Sequence, residues 1–204
     1  MSQFAVALIS GYLIGSIPTA YIIVRLFTNQ DIRLSGSGSV GAANTLKVTK
    51  SRFLSIGVAV FDILKGVAAF YIGLYVGAGE FMTGAVAGVA SVAGHNFSVW
   101  LWFKGGRGLA TAAGFLLPWI WPAPFAWLAV WGIGKKITGN THLSSMIAVG
   151  AVLIFVLVAK NEWLEFLTSS IAQPGVIRIA MIMLCVLIVI KHIEPVRKRS
   201  TGDM

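Results

Sequence analysis

The chain has 204 residues, of which 57% are hydrophobic and a further 23 are glycine, while only 11% are charged. A soluble domain is about half apolar and a quarter charged, so this composition excludes a disordered chain, an ordinary nucleic-acid-binding domain and almost any soluble enzyme. The formal charge of +9 therefore reads as membrane topology and not as nucleic-acid affinity.

The first run, MSQFAVALISGYLIGSIPTAYIIVRLF, lacks a basic leader and stays apolar past any cleavage point, which predicts an uncleaved first span over 3–27. Further membrane-length runs follow at 53–77, 81–101, 108–121, 122–138, 143–159 and 176–191. Pro118, Pro122 and Pro124 interrupt the fourth and fifth, predicting a tight hairpin of two shorter helices. The expectation is one all-α, polytopic membrane domain over 1–204 with about seven spans. With the N-terminus outside and the C-terminus inside, thirteen of the sixteen Lys and Arg fall on the inner side: Arg25, Arg33, Lys47, Lys50, Arg52, Lys104, Arg107, Lys135, Lys136, Lys191, Arg197, Lys198 and Arg199. That arrangement satisfies the positive-inside rule. Cys185 is the single cysteine, so no internal disulfide forms and the oxidation state of the compartment is left open.

Two inner-side segments carry the chemistry. Residues 35–47 read SGSGSVGAANTLK. Gly36, Gly38 and Gly41 allow the backbone to turn its N–H groups inward as an anion nest, and Ser35, Ser37, Ser39 and Lys47 add donors. The string also satisfies G-x-G-x-x-G, but no buried strand precedes it and no βαβ pattern surrounds it, which argues against a dinucleotide fold. Residues 94–111 read GHNFSVWLWFKGGRGLAT. Lys104 and Arg107 flank Gly105 and Gly106 just before a new helix, whose N-terminal N–H groups attract an anion. Both segments imply phosphate, although a flexible interhelical loop and a topogenic basic pair are the plainer readings of each.

Polar groups inside apolar spans are costly and point to function or to bundle-fixing pairs. His95 and Asn96 are two such groups. Asp62 and Lys65 are spaced i, i+3 on one helical face, where they neutralise each other or meet partners on other helices. Ser144 and Ser145 follow His142 at the start of the sixth span, where serine also serves as a cap or in close helix packing. No second histidine stands at metal spacing, and no metal site is expected.

In this order, GSGSVGAAN, FDILKG, GHNF…FKGGRGLATA and HLSS resemble the PlsY family, the bacterial membrane acyl-phosphate:glycerol-3-phosphate acyltransferases, over almost the whole chain. The resemblance implies a seven-helix fold in the bacterial inner membrane with its active site at the cytoplasmic face. It implies transfer of a fatty acyl group from acyl phosphate to the 1-hydroxyl of glycerol 3-phosphate, giving lysophosphatidic acid and phosphate, the first acylation of phospholipid synthesis, with no cofactor. Ser35, Gly36, Ser37, Gly38, Gly41, Asn44 and Lys47 then bind substrate phosphate. Lys104, Gly105, Gly106 and Arg107 bind phosphate and offset leaving-group charge. His95 lies near the centre, with Ser145 and His192 as further binding residues. No histidine here is followed five positions later by aspartate, so the His–Asp base of other glycerolipid acyltransferases is absent. The family reaction is substrate-assisted, with His95 as general base the alternative. Ser39, Ala43, Lys47 and His142 replace the family's asparagine, threonine, arginine and serine. In the tail, Pro195 and Met204 replace its asparagine and glutamate. A transporter for a phosphorylated or anionic solute, or a noncatalytic lipid-binding paralogue, are the competing readings.

Overall fold

The computed structural model describes residues 1–169 and 172–200, with side chains through Ile193. The tail positions Pro195, Arg197, Lys198, Arg199 and Met204 lie outside the described side chains. Every regular element among the described residues is helical: α1 Gln3–Ser16, α2 Thr19–Thr28, α3 Ala42–Thr49, α4 Arg52–Val76, α5 Phe81–Asn96, α6 Leu109–Leu116, α7 Pro122–Thr138, α8 Thr141–Val158, α9 Asn161–Leu167 and α10 Pro174–Ser200. The contacts divide the chain into two compact units, Met1–Phe115 and Leu116–Met204.

Among the described residues, four segments are long and apolar enough to cross a membrane: Gln3–Thr28, Arg52–Val76, Thr141–Val158 and Pro174–Ile193. The sequence predicts about seven. The difference lies in α5, α6 and α7, with 16, 8 and 17 residues. At 1.5 Å per residue α5 and α7 reach about 24–26 Å, short of a hydrocarbon core of about 30 Å. Here α5 stops at Asn96, and α6 stops at Leu116, two residues before Pro118.

The first run is also not one helix. Pro18 has no N–H to continue the ladder, and Ile17 before it turns extended, with ψ 116°. Thr19 N bonds to Ile17 O at 3.0 Å, which leaves the Gly15 carbonyl without its usual helical donor. Within 30–50, read from sequence as a loop, α3 forms, and α9 was likewise not foreseen.

In the first unit, α1 packs on α5 through small residues. A Cβ on Gly11 would strike the backbone of Ala87, and one on Gly15 the backbone of Ser91, so the helices touch main chain to main chain, as small-xxx-small pairs allow. Gly66 of α4 presses on Thr111 and Phe115, and Gly114 of α6 on Ile63. Phe70 stacks edge-on with Phe81 at 5.9 Å and lies tilted against Phe115, also at 5.9 Å. Beneath the 30–50 segment, Ala20, Val24, Ile32, Val40, Val58 and Leu101 form a buried cluster. This cluster gives the glycine-rich loop a floor.

In the second unit, α8 packs against α7 and α10. Asn140 caps α8, its Oδ1 accepting from His142 N and Leu143 N. Arg178 of α10 ties the far end of α8 by donating to Ala159 O and Asn161 Oδ1, both at 2.9 Å.

Candidate active site

The first unit gathers most of the residues singled out in the sequence. In the 35–47 segment, Gly36 and Gly38 have φ of 64° and 67°, conformations that glycine adopts without strain. The loop is locked by Asn44, which is 1% exposed. Its Nδ2 donates to Ile32 O at 3.2 Å and Ser35 O at 3.0 Å, and its Oδ1 accepts from Ser37 N at 2.8 Å. Asn44 thus spends its amide on shaping the loop. The hydroxyls of Ser35, Ser37 and Ser39 make no hydrogen bond among the described residues, and Lys47 is exposed on α3. Upstream, Arg33 grips Asp31, Nε to Oδ1 at 3.0 Å and NH2 to Oδ2 at 2.6 Å, and its guanidinium lies 5.1 Å from the Tyr21 ring centroid. The Arg33 hydrogen bond holds the Asp31 carboxyl below its ordinary value.

The 94–111 segment folds back on the end of α5. Gly106 N donates to His95 O at 2.9 Å and Gly105 N to Asn96 O at 3.2 Å, which satisfies carbonyls a helix end leaves open. Trp102 and Phe103 both take positive φ, 54° and 61°, a backbone conformation that costs a bulky residue free energy. The turn is held by Phe103 N to Ser98 O at 2.8 Å, Ser98 Oγ to Ser16 O at 2.6 Å and Tyr12 Oη to Phe97 O at 2.6 Å. Lys104 is exposed, Arg107 half-buried, and among the described residues neither side chain has a hydrogen bond or ion pair. Burial pushes the Arg107 guanidinium down from its ordinary value, but an arginine stays a cation in proteins. A half-buried cation with no protein counter-charge is a place where a bound anion is favoured.

The two segments meet at Gly106. A Cβ there would strike both His95 Nε2 and the Val40 carbonyl, so the second basic loop lies directly against the end of the first and against the histidine ring. Behind them, Asp62 and Lys65 of α4 form an ion pair at 2.9 Å, 1% and 7% exposed. Lys65 Nζ also donates to Gly15 O at 3.2 Å and Ile17 O at 2.9 Å, the carbonyls at the α1–α2 break, and lies 3.3 Å from His95 Nδ1. Thr19 Oγ1 donates to Asp62 Oδ1 at 2.5 Å. Lys65, His95, Ser98 and Gly105 help line a cavity of about 10 Å³, about room for one water.

The sequence reading paired Asp62 with Lys65 but did not join them to His95 or to the helix break. The signal for the break was Pro18 inside an apolar run; nothing local linked α4 to α5.

Ser145 and His192 belong to the second unit. Ser145 Oγ donates to Thr141 O at 2.9 Å, a turn back along its own helix. His192 is 1% exposed, its Nδ1 lies 2.8 Å from Ile188 O, and its ring meets that of His142 edge-on at 5.7 Å.

The glycerol-3-phosphate acyltransferase family profile matches residues 5–202. A glycerol-3-phosphate acyltransferase of Paramagnetospirillum magneticum is 38% identical over 179 residues, covering 87% of each chain. One of Bradyrhizobium diazoefficiens is 41% identical over 143 residues, covering 70% of this chain and 71% of its own. The crystal structure of PlsY, an integral membrane glycerol 3-phosphate acyltransferase, in its glycerol 3-phosphate form, superposes with a TM-score of 0.80 at 28% identity, over 98% of this chain and 94% of that one. Its lysophosphatidic acid form gives 0.78 at 27% identity, over 98% and 93%. The chain belongs to the glycerol-3-phosphate acyltransferase family.

Proposed function

We propose that this chain transfers a fatty acyl group from an acyl phosphate to the 1-hydroxyl of glycerol 3-phosphate, giving lysophosphatidic acid and inorganic phosphate in phospholipid synthesis. The observation that carries the reading is the meeting of two anion-adapted loops at Gly106, one rich in free serine hydroxyls and one bearing Lys104 and Arg107 without protein partners. Both substrates are phosphorylated, so two neighbouring anion sites suit them. The family relatives are named for acylation of glycerol 3-phosphate, and the structural neighbours have a glycerol 3-phosphate form and a lysophosphatidic acid form.

The chemistry asks little of a protein nucleophile. The glycerol hydroxyl oxygen attacks the acyl carbonyl carbon, the bond from that carbon to the phosphate oxygen breaks, and the hydroxyl proton leaves to a phosphate oxygen. Positioning the hydroxyl and stabilising the oxyanion and leaving phosphate are the tasks left to the chain. In this reading Ser35, Ser37 and Lys47, with the backbone at Gly36, Gly38 and Gly41, receive one phosphate, and Asn44 holds their loop in shape. Lys104, Arg107 and the Gly105–Gly106 backbone receive the other, beside His95. In the second unit, Ser145 and His192 are the remaining substrate-binding residues that the family resemblance supplies. The chain works as one domain with about seven membrane crossings, N-terminus outside, in a bacterial inner membrane, with its site at the cytoplasmic face. The positive-inside count supports that orientation.

The test is reconstituted protein supplied with palmitoyl phosphate and labelled glycerol 3-phosphate. Labelled lysophosphatidic acid and phosphate should form in equal amounts, and none should form when palmitoyl-CoA replaces palmitoyl phosphate. Uptake of glycerol 3-phosphate into vesicles without a lipid product would overturn the proposal in favour of a transporter.

A further inference from the structure

The two nitrogens of His95 have opposite surroundings. Nδ1 faces the Lys65 ammonium at 3.3 Å. Nε2 faces Gly106 in the basic loop. A neutral imidazole carries one N–H and one lone pair, whereas an ammonium has only hydrogens to offer. The nitrogen beside Lys65 is therefore the one that keeps its lone pair.

The rest of the cluster fixes Lys65 in that role. Asp62 Oδ1 sits 2.9 Å from Nζ and is itself held by Thr19. The Gly15 carbonyl, opened by the break at Pro18, and the Ile17 carbonyl take two more of its contacts. His95 Nδ1 is 3.6 Å from Asp62 Oδ1, beyond ordinary hydrogen-bond length and farther than the 3.3 Å to Lys65 Nζ, so the ammonium is the nearer partner of the ring nitrogen. Lys65 has three hydrogens for four acceptors, and one of them is shared. A hydrogen on Nδ1 would instead face a cation at 3.3 Å, with the Asp62 carboxylate oxygen farther off at 3.6 Å.

We propose that Lys65, anchored by Asp62, is a positioning residue that fixes His95 as the Nε2–H tautomer, a neutral hydrogen-bond donor aimed at the Gly106 end of the site. The proposal rests on the acyltransferase reading and deepens it: His95 donates to a substrate oxygen at that end and takes no proton from the attacking hydroxyl, because its lone pair faces Lys65 on the other side of the ring. That proton goes to an oxygen of the substrate phosphate as the acyl carbon–oxygen bond to phosphate breaks.

The test is nitrogen NMR of histidine-labelled protein in nanodiscs, with His95 assigned by the signal lost in His95→Gln. The wild type should show a bare Nδ1 and a protonated Nε2, and Lys65→Met should give a mixture of tautomers. A protonated Nδ1 in the wild type overturns the proposal, as does an unchanged His95 spectrum in folded Lys65→Met. Should Lys65→Met fail to fold, the wild-type spectrum decides alone. Activity gives a second arm. Deleting a preorganised donor costs about 10²–10³ in kcat, which is the loss expected for His95→Ala; His95→Gln, which keeps an N–H near the position of Nε2, should recover about tenfold or more of it. Equal loss in both variants overturns the donor role. The NMR arm needs no turnover, so a wild type without acyl transfer would refute the acyltransferase reading while the spectrum still decides the tautomer.

Discussion

Replacing Gly106 by alanine tests whether the contact between the two loops sets the active geometry. The added methyl would sit 2.6 Å from the Val40 carbonyl oxygen and within clashing distance of the His95 ring, against an ordinary contact beginning at 3.4 Å. Relief requires the loop to retreat from Val40 by the difference, 0.8 Å, and the histidine to swing away. A misplacement of about 1 Å costs about 10²-fold in rate, and overpacking costs about 1–3 kcal/mol of stability. Gly106→Ala should therefore remain folded with a lowered unfolding temperature and lose about two orders of magnitude in kcat. The assay is phosphate release from palmitoyl phosphate at saturating glycerol 3-phosphate, with thermal unfolding in the same detergent. Gly150→Ala is the control, since a Cβ there meets nothing within 4 Å; it should keep wild-type turnover and gain up to about 1 kcal/mol from helix propensity. Wild-type kcat in Gly106→Ala would refute the argument that this contact positions the site.

Other consequences are equally direct. Asn44→Ala removes three hydrogen bonds from the 32–37 backbone. It should lower stability by about 1–3 kcal/mol and raise the KM for glycerol 3-phosphate more than it lowers kcat, as steady-state kinetics would show. Gly15→Val would drive a branched side chain into the Ser91 backbone and should lower the unfolding temperature more than Gly150→Val in the same detergent. The Asp31–Arg33 pair holds the folded Asp31 carboxyl below its ordinary value of 3.8, so its stabilisation is present above that pH and fades as pH falls through the lower folded value. Asp31→Asn should flatten this part of the acid-unfolding profile because it removes the pair's contribution at neutral pH, a loss of up to about 1 kcal/mol for a partly exposed pair.

The parts of the site that could be read from the sequence are those whose chemistry is local. A glycine-serine string and a Lys-Gly-Gly-Arg string advertise anion binding wherever the chain places them, and the Asp62–Lys65 pair follows from helical spacing alone. What stayed hidden depends on contacts across the fold. His95 joins Lys65 because α1 and α5 pack main chain to main chain through Gly11 and Gly15, which brings the end of α5 to the break at Pro18. Asn44 reads from the sequence as a residue of the phosphate-binding loop; that its amide is turned back onto that loop depends on the short helix α3, which composition does not reveal. Apolar runs predict about seven crossings; among the described residues four segments reach crossing length, α5 and α6 are shorter than the apolar runs that contain them, and α7 fills its run with 17 residues.

The central claim is that the half-buried, unpaired Arg107 and its neighbour Lys104 receive a substrate phosphate beside His95. The most direct measurement is the transfer rate of Arg107→Ala against wild type, with palmitoyl phosphate and labelled glycerol 3-phosphate and with folding verified by thermal unfolding. The account predicts a loss of about 10²-fold or more in a protein that still melts cooperatively. Wild-type turnover in that variant would contradict it.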